Sequence, residues 1–245
     1  MAILVTRPLP DGATTAAALR AKGFAVLLAP MLRFEPVAFH DDSDAPYGAV
    51  IVTSANALRA IEATLQGGPL LKLPLFAVGE HTAAAARAAG FTQVISANGD
   101  AAGLRERIVA SVKAKVLKKT SPLLYLAGAD LARDLPGELG ERGFTVVTQT
   151  TYRMVAVLSL PEETRKAFAA DEVEAVLHYS RRSARAFIEA VRAAGVEVSA
   201  LSLPQCCISA GVATVLRDAG AARVVVASSP DQGALFVALD GALPR

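Results

Sequence analysis

Short polar side chains follow several of the apolar runs in this 245-residue sequence. Thr53, Ser54 and Asn56 come directly after "AVIV", and Ser180 and Ser183 come after "AVLHY". Hydroxyl and amide groups donate and accept hydrogen bonds without carrying a charge, so they suit the recognition of a polar ligand. Further candidates, which present a hydroxyl or a bare backbone amide after an apolar run, are Gly79, Thr82 and Ser209. We expect these residues to bind a ligand through hydrogen bonds.

Two further residues could do stronger chemistry. Arg7 follows "AILVT", and Tyr152 follows the predicted strand "FTVVTQ". A guanidinium can hold a carboxylate with two parallel hydrogen bonds, and a phenol can protonate a leaving group as a general acid. The alternatives are that Arg7, like Arg181 and Arg182, is a solvated loop charge, and that Tyr152 packs with its hydroxyl bonded locally.

The elements that must position these residues form an alternating pattern. Short apolar runs such as "GAVIVT", "LLYLA" and "EAVLHY" indicate buried strands. Between most of them lie Ala- and Arg-rich segments of helical length, and Gly90 and Gly195 follow two of these segments as helix stop signals. The pattern predicts the α/β class with parallel sheets.

In such a sheet a ligand lies beyond the carboxyl ends of the strands, where helix N-termini present unpaired N–H groups. The candidate residues occupy these strand ends. Ser54, Asp100 and Ser180 also stand where helix N-caps are expected, so capping alone would account for them.

Composition narrows the function classes. The hydrophobic fraction of 53% and the absence of Trp suit helices packed on a parallel sheet. No apolar run reaches the roughly 18 residues that span a bilayer, and Met1 leads directly into "AILVTRP", from which we expect a cytoplasmic protein. A net charge of +2 argues against a nucleic-acid partner and favours, at most, small anions.

Cys206 and Cys207 are neighbours in a predicted strand, so they are poor candidates for a disulfide or a shared metal.

The sequence contains an internal repeat. "LPLFAVGEHTAAAARAAGFTQVISA" (73–97) aligns without gaps with "LPQCCISAGVATVLRDAGAARVVVA" (203–227). Residues 2–33 align in the same way with 122–153, and the segment from Ala49 aligns with the segment from Ala175. The chain therefore holds two copies of one βα unit of about five strands.

Two divisions of the chain agree with this repeat. A sequential division gives two domains that meet near residue 120. A discontinuous division joins 1–34 with 155–245 as one domain and leaves 38–150 as the other. The segments 33–40 and 150–157 then act as linkers, because the sequence around each lacks helical periodicity and contains Pro nearby.

The sequence offers no cofactor or metal site. His40, His81 and His178 have no ligand spacing among them. No GxGxxG follows a predicted strand, so dinucleotide binding is not supported.

Several motifs together resemble those of the uroporphyrinogen-III synthase family. They occur in the order of that family over nearly the whole chain, and they include "VTRP", "IVTSANALRAI", "FAVGEHTAAAARAAGF", "LLYLAG", "TVVTQTTYR", "VLHYSRRSARAF" and "CCISAGVATVLRDAG". The chain departs from the family where Ala127-Gly128 stands in place of the more usual Arg-Gly. Arg133, about one helical turn further along, could supply an anion contact instead.

The resemblance implies two flavodoxin-like parallel-sheet domains, joined by a two-stranded β-ladder linker and facing each other across a cleft, which selects the discontinuous division. It implies a lyase that closes the linear tetrapyrrole hydroxymethylbilane into uroporphyrinogen III, with loss of water and inversion of the last ring (ring D), without a cofactor. It also implies that Gly128 belongs to the substrate site and that Tyr152 is the family's tyrosine. A transient contact with the preceding pathway enzyme is a further expectation.

Two other functions remain open at this point. A two-domain cytoplasmic protein could close on a small anionic ligand without catalysis. A two-domain glycosyltransferase would need a phosphate-binding Gly-rich loop, and the sequence shows none.

Overall fold

The computed structural model describes residues 1–40, 46–97, 99–131 and 133–243. The chain divides into two compact units. Unit 1 comprises Met1–Phe34 with Val155–Arg245, and unit 2 comprises Glu35–Met154. Strands and helices alternate in both, which confirms the mixed α/β class with parallel sheets.

The strands of the described residues, in chain order, are β1 (Ala2–Val5), β2 (Ala25–Leu28), β3 (Leu32–Pro36), β4 (Ala49–Val52), β5 (Leu75–Ala77), β6 (Val94–Ser96), β7 (Leu123–Gly128), β8 (Val146–Ala156), β9 (Val173–His178), β10 (Pro204–Cys207) and β11 (Arg223–Val226). The helices are α1 (Asp11–Ala21), α2 (Ala55–Ala60), α3 (Glu62–Leu65), α4 (Glu80–Ala88), α5 (Ala101–Lys113), α6 (Leu135–Gly140), α7 (Glu162–Ala169), α8 (Arg181–Ala193), α9 (Glu197–Ser202), α10 (Ala210–Asp218) and α11 (Gln232–Ala242). A 3₁₀ turn covers Pro69–Lys72.

Each unit is built on one sheet. The sheet of unit 1 has the order β2-β1-β9-β10-β11, and its neighbouring strands pair in parallel. The second sheet has the order β3-β8-β7-β4-β5-β6, with parallel pairing from β8 to β6. Under the repeat alignment, β1, β2, β9, β10 and β11 correspond to β7, β8, β4, β5 and β6. The two sheets therefore share one strand order. The chain enters that order at different strands, because β1 of unit 1 corresponds to β7 of unit 2 and not to β4.

The crossing segments extend the second sheet. β3 and β8 are hydrogen-bonded neighbours. The Val37 amide donates to the Thr151 carbonyl (2.7 Å) and the Val157 amide donates to the Met31 carbonyl (3.0 Å), so the two strands run antiparallel. The prediction that the strand ends before Tyr152 is wrong, because this pairing carries β8 on to Ala156.

Both faces of the sheets are covered by apolar side chains. In β4, Val50 and Val52 pack into one core cluster and Ala49 and Ile51 into another. This alternation explains why the strand is apolar at every position. Cys206 and Cys207 likewise pack into different clusters as free thiols. Burial raises the pKa of both to about 12, so they stay protonated at neutral pH.

Helix ends follow the sequence signals. The side chains of Ser54, Asp100 and Ser180 accept hydrogen bonds from backbone amides in the first turns of α2, α5 and α8, which confirms the capping interpretation for all three. Gly90 and Gly195 follow α4 and α8 with φ of 102° and 69°. These backbone angles belong to the left-handed region that favours glycine, so the predicted stop signals are confirmed.

Candidate functional site

Unit 2 contains a cavity of about 320 Å³ beyond the carboxyl ends of β4, β5 and β7. The order of the sheet reverses between β4 and β7, and this is the point at which open parallel sheets bind ligands. The lining residues are Thr53, Ser54, Val78, Ala101, Tyr125, Gly128, Asp130, Leu131, Arg133, Leu135 and Tyr152. We call this the unit 2 cavity.

Gly128 and Tyr152 form one side of the unit 2 cavity. They are partners across the β7–β8 pairing, at a point where the register shifts. A Cβ atom at position 128 would lie 2.7 Å from Cζ and 2.9 Å from the hydroxyl of Tyr152. Because real Cβ atoms do not approach so closely, a glycine is what lets the phenol lie against the backbone of β7. Two residues that were predicted separately are thus parts of one arrangement.

Thr53 and Tyr125 form a second polar group in the unit 2 cavity. Their hydroxyl oxygens lie 2.9 Å apart, a hydrogen-bond distance. Burial raises the pKa of the Tyr125 phenol, the hydrogen bond with Thr53 opposes this rise, and the neighbouring Tyr152 adds to it. Tyr125 therefore remains protonated at neutral pH.

Arg133 brings a positive charge to the unit 2 cavity. Its guanidinium is bonded to Glu138 through Nε and Nη2, and Arg105 holds the same carboxylate at 2.6 Å. Hydrogen bonds from Arg133 and Arg105 lower the pKa of Glu138. The side chain suggested by the sequence as a replacement anion contact does line the cavity, with its orientation set by Glu138.

Unit 1 contains a corresponding cavity of about 510 Å³, beyond the carboxyl ends of β1, β9 and β10. We call it the unit 1 cavity. Here too the order of the sheet reverses, between β1 and β9. Its lining residues are Arg7, Pro8, Leu32, Tyr179, Ser180, Ile208, Pro230 and Gln232.

Arg7 is held in place within the unit 1 cavity. Its guanidinium lies over the Tyr179 ring, 4.7 Å from the centroid, and donates to Asp11 at 2.9 Å. The Tyr179 hydroxyl is buried near Thr15 and Arg7, although it makes no hydrogen bond of good geometry with a described residue. Burial raises the pKa of this phenol, and the nearby Thr15 and Arg7 oppose the rise. Stacking on Tyr179 and pairing with Asp11 favour one orientation of the Arg7 side chain.

The two cavities occupy equivalent places in the repeat. The gapless alignment pairs Thr53 with Tyr179, Ser54 with Ser180, Val78 with Ile208, Gly128 with Pro8, and Tyr152 with Leu32. The backbone positions are thus shared, whereas the side chains that can do chemistry differ. The unit 2 cavity carries the strand-borne phenol of Tyr152, and the unit 1 cavity carries the guanidinium of Arg7.

The structure brings six predicted site residues to the cavities and leaves five outside their lining. Thr53, Ser54, Gly128 and Tyr152 line the unit 2 cavity, and Arg7 and Ser180 line the unit 1 cavity. The predicted residues outside the lining are Asn56, Gly79, Thr82, Ser183 and Ser209.

These five residues all lie at helix starts. Gly79 and Ser209 are the N-cap residues of α4 and α10, without a side-chain capping bond. Thr82 is 5% exposed, Ser183 is fully buried against Ser180, and Asn56 contacts the Met154 sulfur at 3.9 Å.

Tyr125, Tyr179 and Gln232 are cavity residues that the sequence did not single out. The two tyrosines lie in or directly after apolar strands and look like core residues. For Tyr125 a signal was nevertheless present, because it aligns with the apolar Val5, whereas Tyr179 aligns with Thr53, which also carries a hydroxyl. Positions where one copy is polar and the other apolar are where the two sites have diverged.

The described residues contain no group of three or more His, Cys, Asp and Glu side chains placed to hold a metal ion. In the same part of the chain, no helix is both long enough and apolar enough to cross a membrane.

Parallel sheets with polar cavities at their switch points place the chain among α/β proteins whose strand ends form ligand sites. The family model described as uroporphyrinogen-III synthase HemD matches residues 13–237. Because the match extends over most of its length, the chain belongs to the uroporphyrinogen-III synthase family. The resemblance found in the sequence motifs is thereby confirmed.

Two solved structures are similar in fold. The crystal structure of uroporphyrinogen-III synthetase from Helicobacter pylori 26695 is 19% identical, has a TM-score of 0.65, and the alignment covers 98% of each chain. A mutant uroporphyrinogen III synthase from the extremely thermophilic bacterium Thermus thermophilus is 17% identical, has a TM-score of 0.57, and the alignment covers 99% of this chain and 98% of that one. No curated protein sequence matches this chain significantly. At these low sequence identities, the two structures show a similarity of fold and nothing further.

Proposed function

We propose that the protein converts hydroxymethylbilane into uroporphyrinogen III, acting as a lyase with loss of water and inversion of ring D. The observation that carries the proposal is the Tyr152 phenol, packed against Gly128 in a cavity at the switch point of a parallel sheet. The family of the chain supports a tetrapyrrole substrate. We propose that the substrate binds in this cavity, where the phenol can supply the acidic proton that the reaction needs.

The proposed role of Tyr152 is to assist the departure of the terminal hydroxyl. When the bond between the methylene carbon and oxygen breaks, the oxygen keeps the electron pair and takes the phenol proton to leave as water. The pyrrole nitrogen stabilises the cationic carbon. For ring D to invert, the cationic carbon first bonds to the ring D carbon that already carries the bridge to ring C, and the bond between that carbon and the bridge then breaks. The freed bridge carbon is now the cation and bonds to the other alpha carbon of ring D, which releases its proton to restore the phenol, so atoms and charge balance.

The remaining candidate residues are proposed to bind the substrate. Hydroxymethylbilane carries eight carboxylates, which suit many hydrogen-bond donors and a few arginines better than one deep cationic pocket. Beside Tyr152 the proposed set is Arg7, Thr53, Ser54, Asn56, Gly79, Thr82, Gly128, Ser180, Ser183 and Ser209. Holding a flexible chain in a bent form also lowers the entropic barrier to ring closure. The proposed chemistry uses no cofactor.

We propose that the two compact units are flavodoxin-like domains, 1–34 with 155–245 and 38–150. Numbered in chain order within unit 1, the strands follow the order 2-1-3-4-5 of flavodoxin-like sheets, and unit 2 repeats that order under the alignment. The antiparallel pair of β3 and β8 supports a two-stranded ladder linker over 33–40 and 150–157. We also propose a cytoplasmic location and a transient contact with the enzyme that supplies the unstable substrate.

The decisive experiment is to give the purified protein freshly prepared hydroxymethylbilane and to separate the oxidised products by isomer. We expect the type III isomer to predominate, whereas the substrate alone closes to the symmetric type I isomer. If only type I forms, the proposed activity is wrong. Tight binding of the substrate without type III product would instead support a binding protein.

Replacing Arg7 with alanine is expected to raise KM for hydroxymethylbilane about 30-fold and to leave kcat nearly unchanged. The loss of one charge-assisted bond to a carboxylate costs about 2 kcal/mol, and a contact made equally in ground and transition states affects KM alone. Steady-state kinetics checks this. Arg20→Ala is the matched control, since Arg20 lies on α1 and bonds only to the Val26 carbonyl among the contacts seen. An unchanged KM in Arg7→Ala would remove Arg7 from the site.

A further inference from the structure

In the unit 2 cavity, the proposed reaction gives a chemical role to Tyr152 but none to the hydrogen-bonded pair of Thr53 and Tyr125. Tyr125 is 3% exposed, and its hydroxyl is the polar end of a side chain in the otherwise apolar strand β7. It reaches Thr53 at the end of β4, 2.9 Å away, and both residues line the cavity with Tyr152.

The two hydroxyls have two protons, and only one of them can occupy the bond between the oxygens. Either hydroxyl could donate in this bond. Because a phenol is the stronger acid and therefore the better donor, we assign the donor role to Tyr125 and the acceptor role to Thr53. Because the pKa of Tyr125 is raised by burial, the phenol keeps its proton through the neutral range. The Thr53 oxygen then has one lone pair occupied, and its own proton is left to point away from Tyr125.

We infer that Tyr125 is a positioning residue, which fixes the Thr53 hydroxyl so that Thr53 donates its proton to the substrate beside Tyr152. This inference rests on the proposed function, because it gives Thr53 a defined partner in that reaction. The donor is prepared before the substrate arrives, and a prepared donor costs less reorganisation in the transition state.

The second copy of the repeat shows that the fold itself does not require the pair. In unit 1 the positions of Tyr125 and Thr53 are taken by Val5 and Tyr179. Val5 is fully buried in the same place of an equivalent parallel sheet. The hydroxyl pair is thus a feature of the unit 2 cavity alone, as expected of a group that serves the reaction.

The test is a double-mutant cycle on the purified full-length enzyme with hydroxymethylbilane. We expect Tyr125→Phe to lower kcat about fivefold, Thr53→Val about tenfold, and KM to change less than twofold in both. If Tyr125 acts through Thr53, the double variant has the kcat of Thr53→Val alone. Thr53→Ser, which keeps the hydroxyl, is expected to retain most of the activity.

Tyr47→Phe serves as the control. Tyr47 is a half-buried tyrosine just before β4, at the amino ends of the strands and outside the cavity lining. It should keep the wild-type kcat. Thermal unfolding of each variant separates a loss of fold from a loss of turnover.

Three outcomes would overturn the inference: wild-type kcat in Tyr125→Phe, effects of the two substitutions that multiply in the double variant, or a Thr53→Ser enzyme as slow as Thr53→Val. The last comparison holds even if Tyr125→Phe does not fold. An inactive wild-type protein would instead refute the proposed function, so the two failures are distinguishable.

Discussion

Tyr152→Phe is expected to lower kcat for the formation of uroporphyrinogen III by about 10- to 100-fold. General acids contribute about 10²- to 10⁴-fold in enzymes, and the electron-rich pyrrole already assists the loss of the hydroxyl, which places this case at or below the lower end. The Tyr152 side chain is only half-buried, and the variant keeps its aromatic ring on β8 and loses only the hydroxyl. The free energy of unfolding should therefore change by less than about 1 kcal/mol. Steady-state kinetics with isomer analysis measures the first effect, and urea denaturation measures the second.

Gly128→Ala tests the same phenol without removing it. The added methyl would lie 2.7 Å from Cζ of Tyr152, so the ring must move out of its place. We expect a loss of kcat comparable to that of Tyr152→Phe, and no further loss when the two changes are combined. Gly140→Ala is the matched control, because a Cβ at this position of α6 meets nothing within 4 Å. Wild-type kcat in both Tyr152→Phe and Gly128→Ala would remove the phenol from the mechanism.

Much of the fold was predictable because it depends on local chemistry. Four apolar residues in a row are typical of a parallel strand that is covered on both faces, as β4 is. A glycine after an amphipathic run marks a helix end, and Gly90 and Gly195 do so. The repeat also predicted two copies of one βα unit, and the two sheets do share a strand order. The length of β8 could not be predicted, since its second half is a strand only because β3 pairs with it.

The candidate site was less predictable because it depends on partners that are distant in the sequence. Thr53 could be chosen as a strand-end hydroxyl, but its partner Tyr125 lies 72 residues away and is contributed by a different strand. Similarly, Gly128 could be chosen from the family resemblance, whereas its physical purpose, which is to make room for Tyr152, depends on the register between β7 and β8. Comparing the two copies position by position would have singled out Tyr125, which aligns with the apolar Val5.

The same comparison identifies a polar pair in the core of unit 1. His178 and Gln205 are both fully buried, whereas the aligned residues in unit 2 are Val52 and Leu75. The Gln205 amide nitrogen donates to the carbonyls of Ala200 and Leu203, which leaves its oxygen to accept from Nε2 of His178 at 2.9 Å. Nδ1 of His178 is buried and has no partner in the described part of the chain.

This arrangement favours a neutral imidazole over a charged one. A second proton would sit on Nδ1, with no acceptor and in contact with the core, where Phe187 packs edge-on at 5.1 Å. Burial lowers the pKa of His178 from 6.5 to about 4, and the bond with Gln205 only partly opposes this shift. The group is therefore a source of acid sensitivity.

The free energy of unfolding is expected to fall by about 3 kcal/mol between pH 6.5 and pH 4 through His178 alone. In this range the unfolded chain binds a proton that the folded chain excludes, so stability rises with pH at about 1.4 kcal/mol per pH unit and levels off above pH 6.5. The double variant His178→Val with Gln205→Leu, which installs the residues of the other copy, should lose this part of the slope whatever its stability at pH 7. Urea denaturation of both proteins at several pH values from 7.5 to 4.5 measures the difference. If the free energy of unfolding had the same pH dependence in both proteins, His178 would have the same pKa in the folded and unfolded chain. Only a difference between these two pKa values makes stability depend on pH through this group.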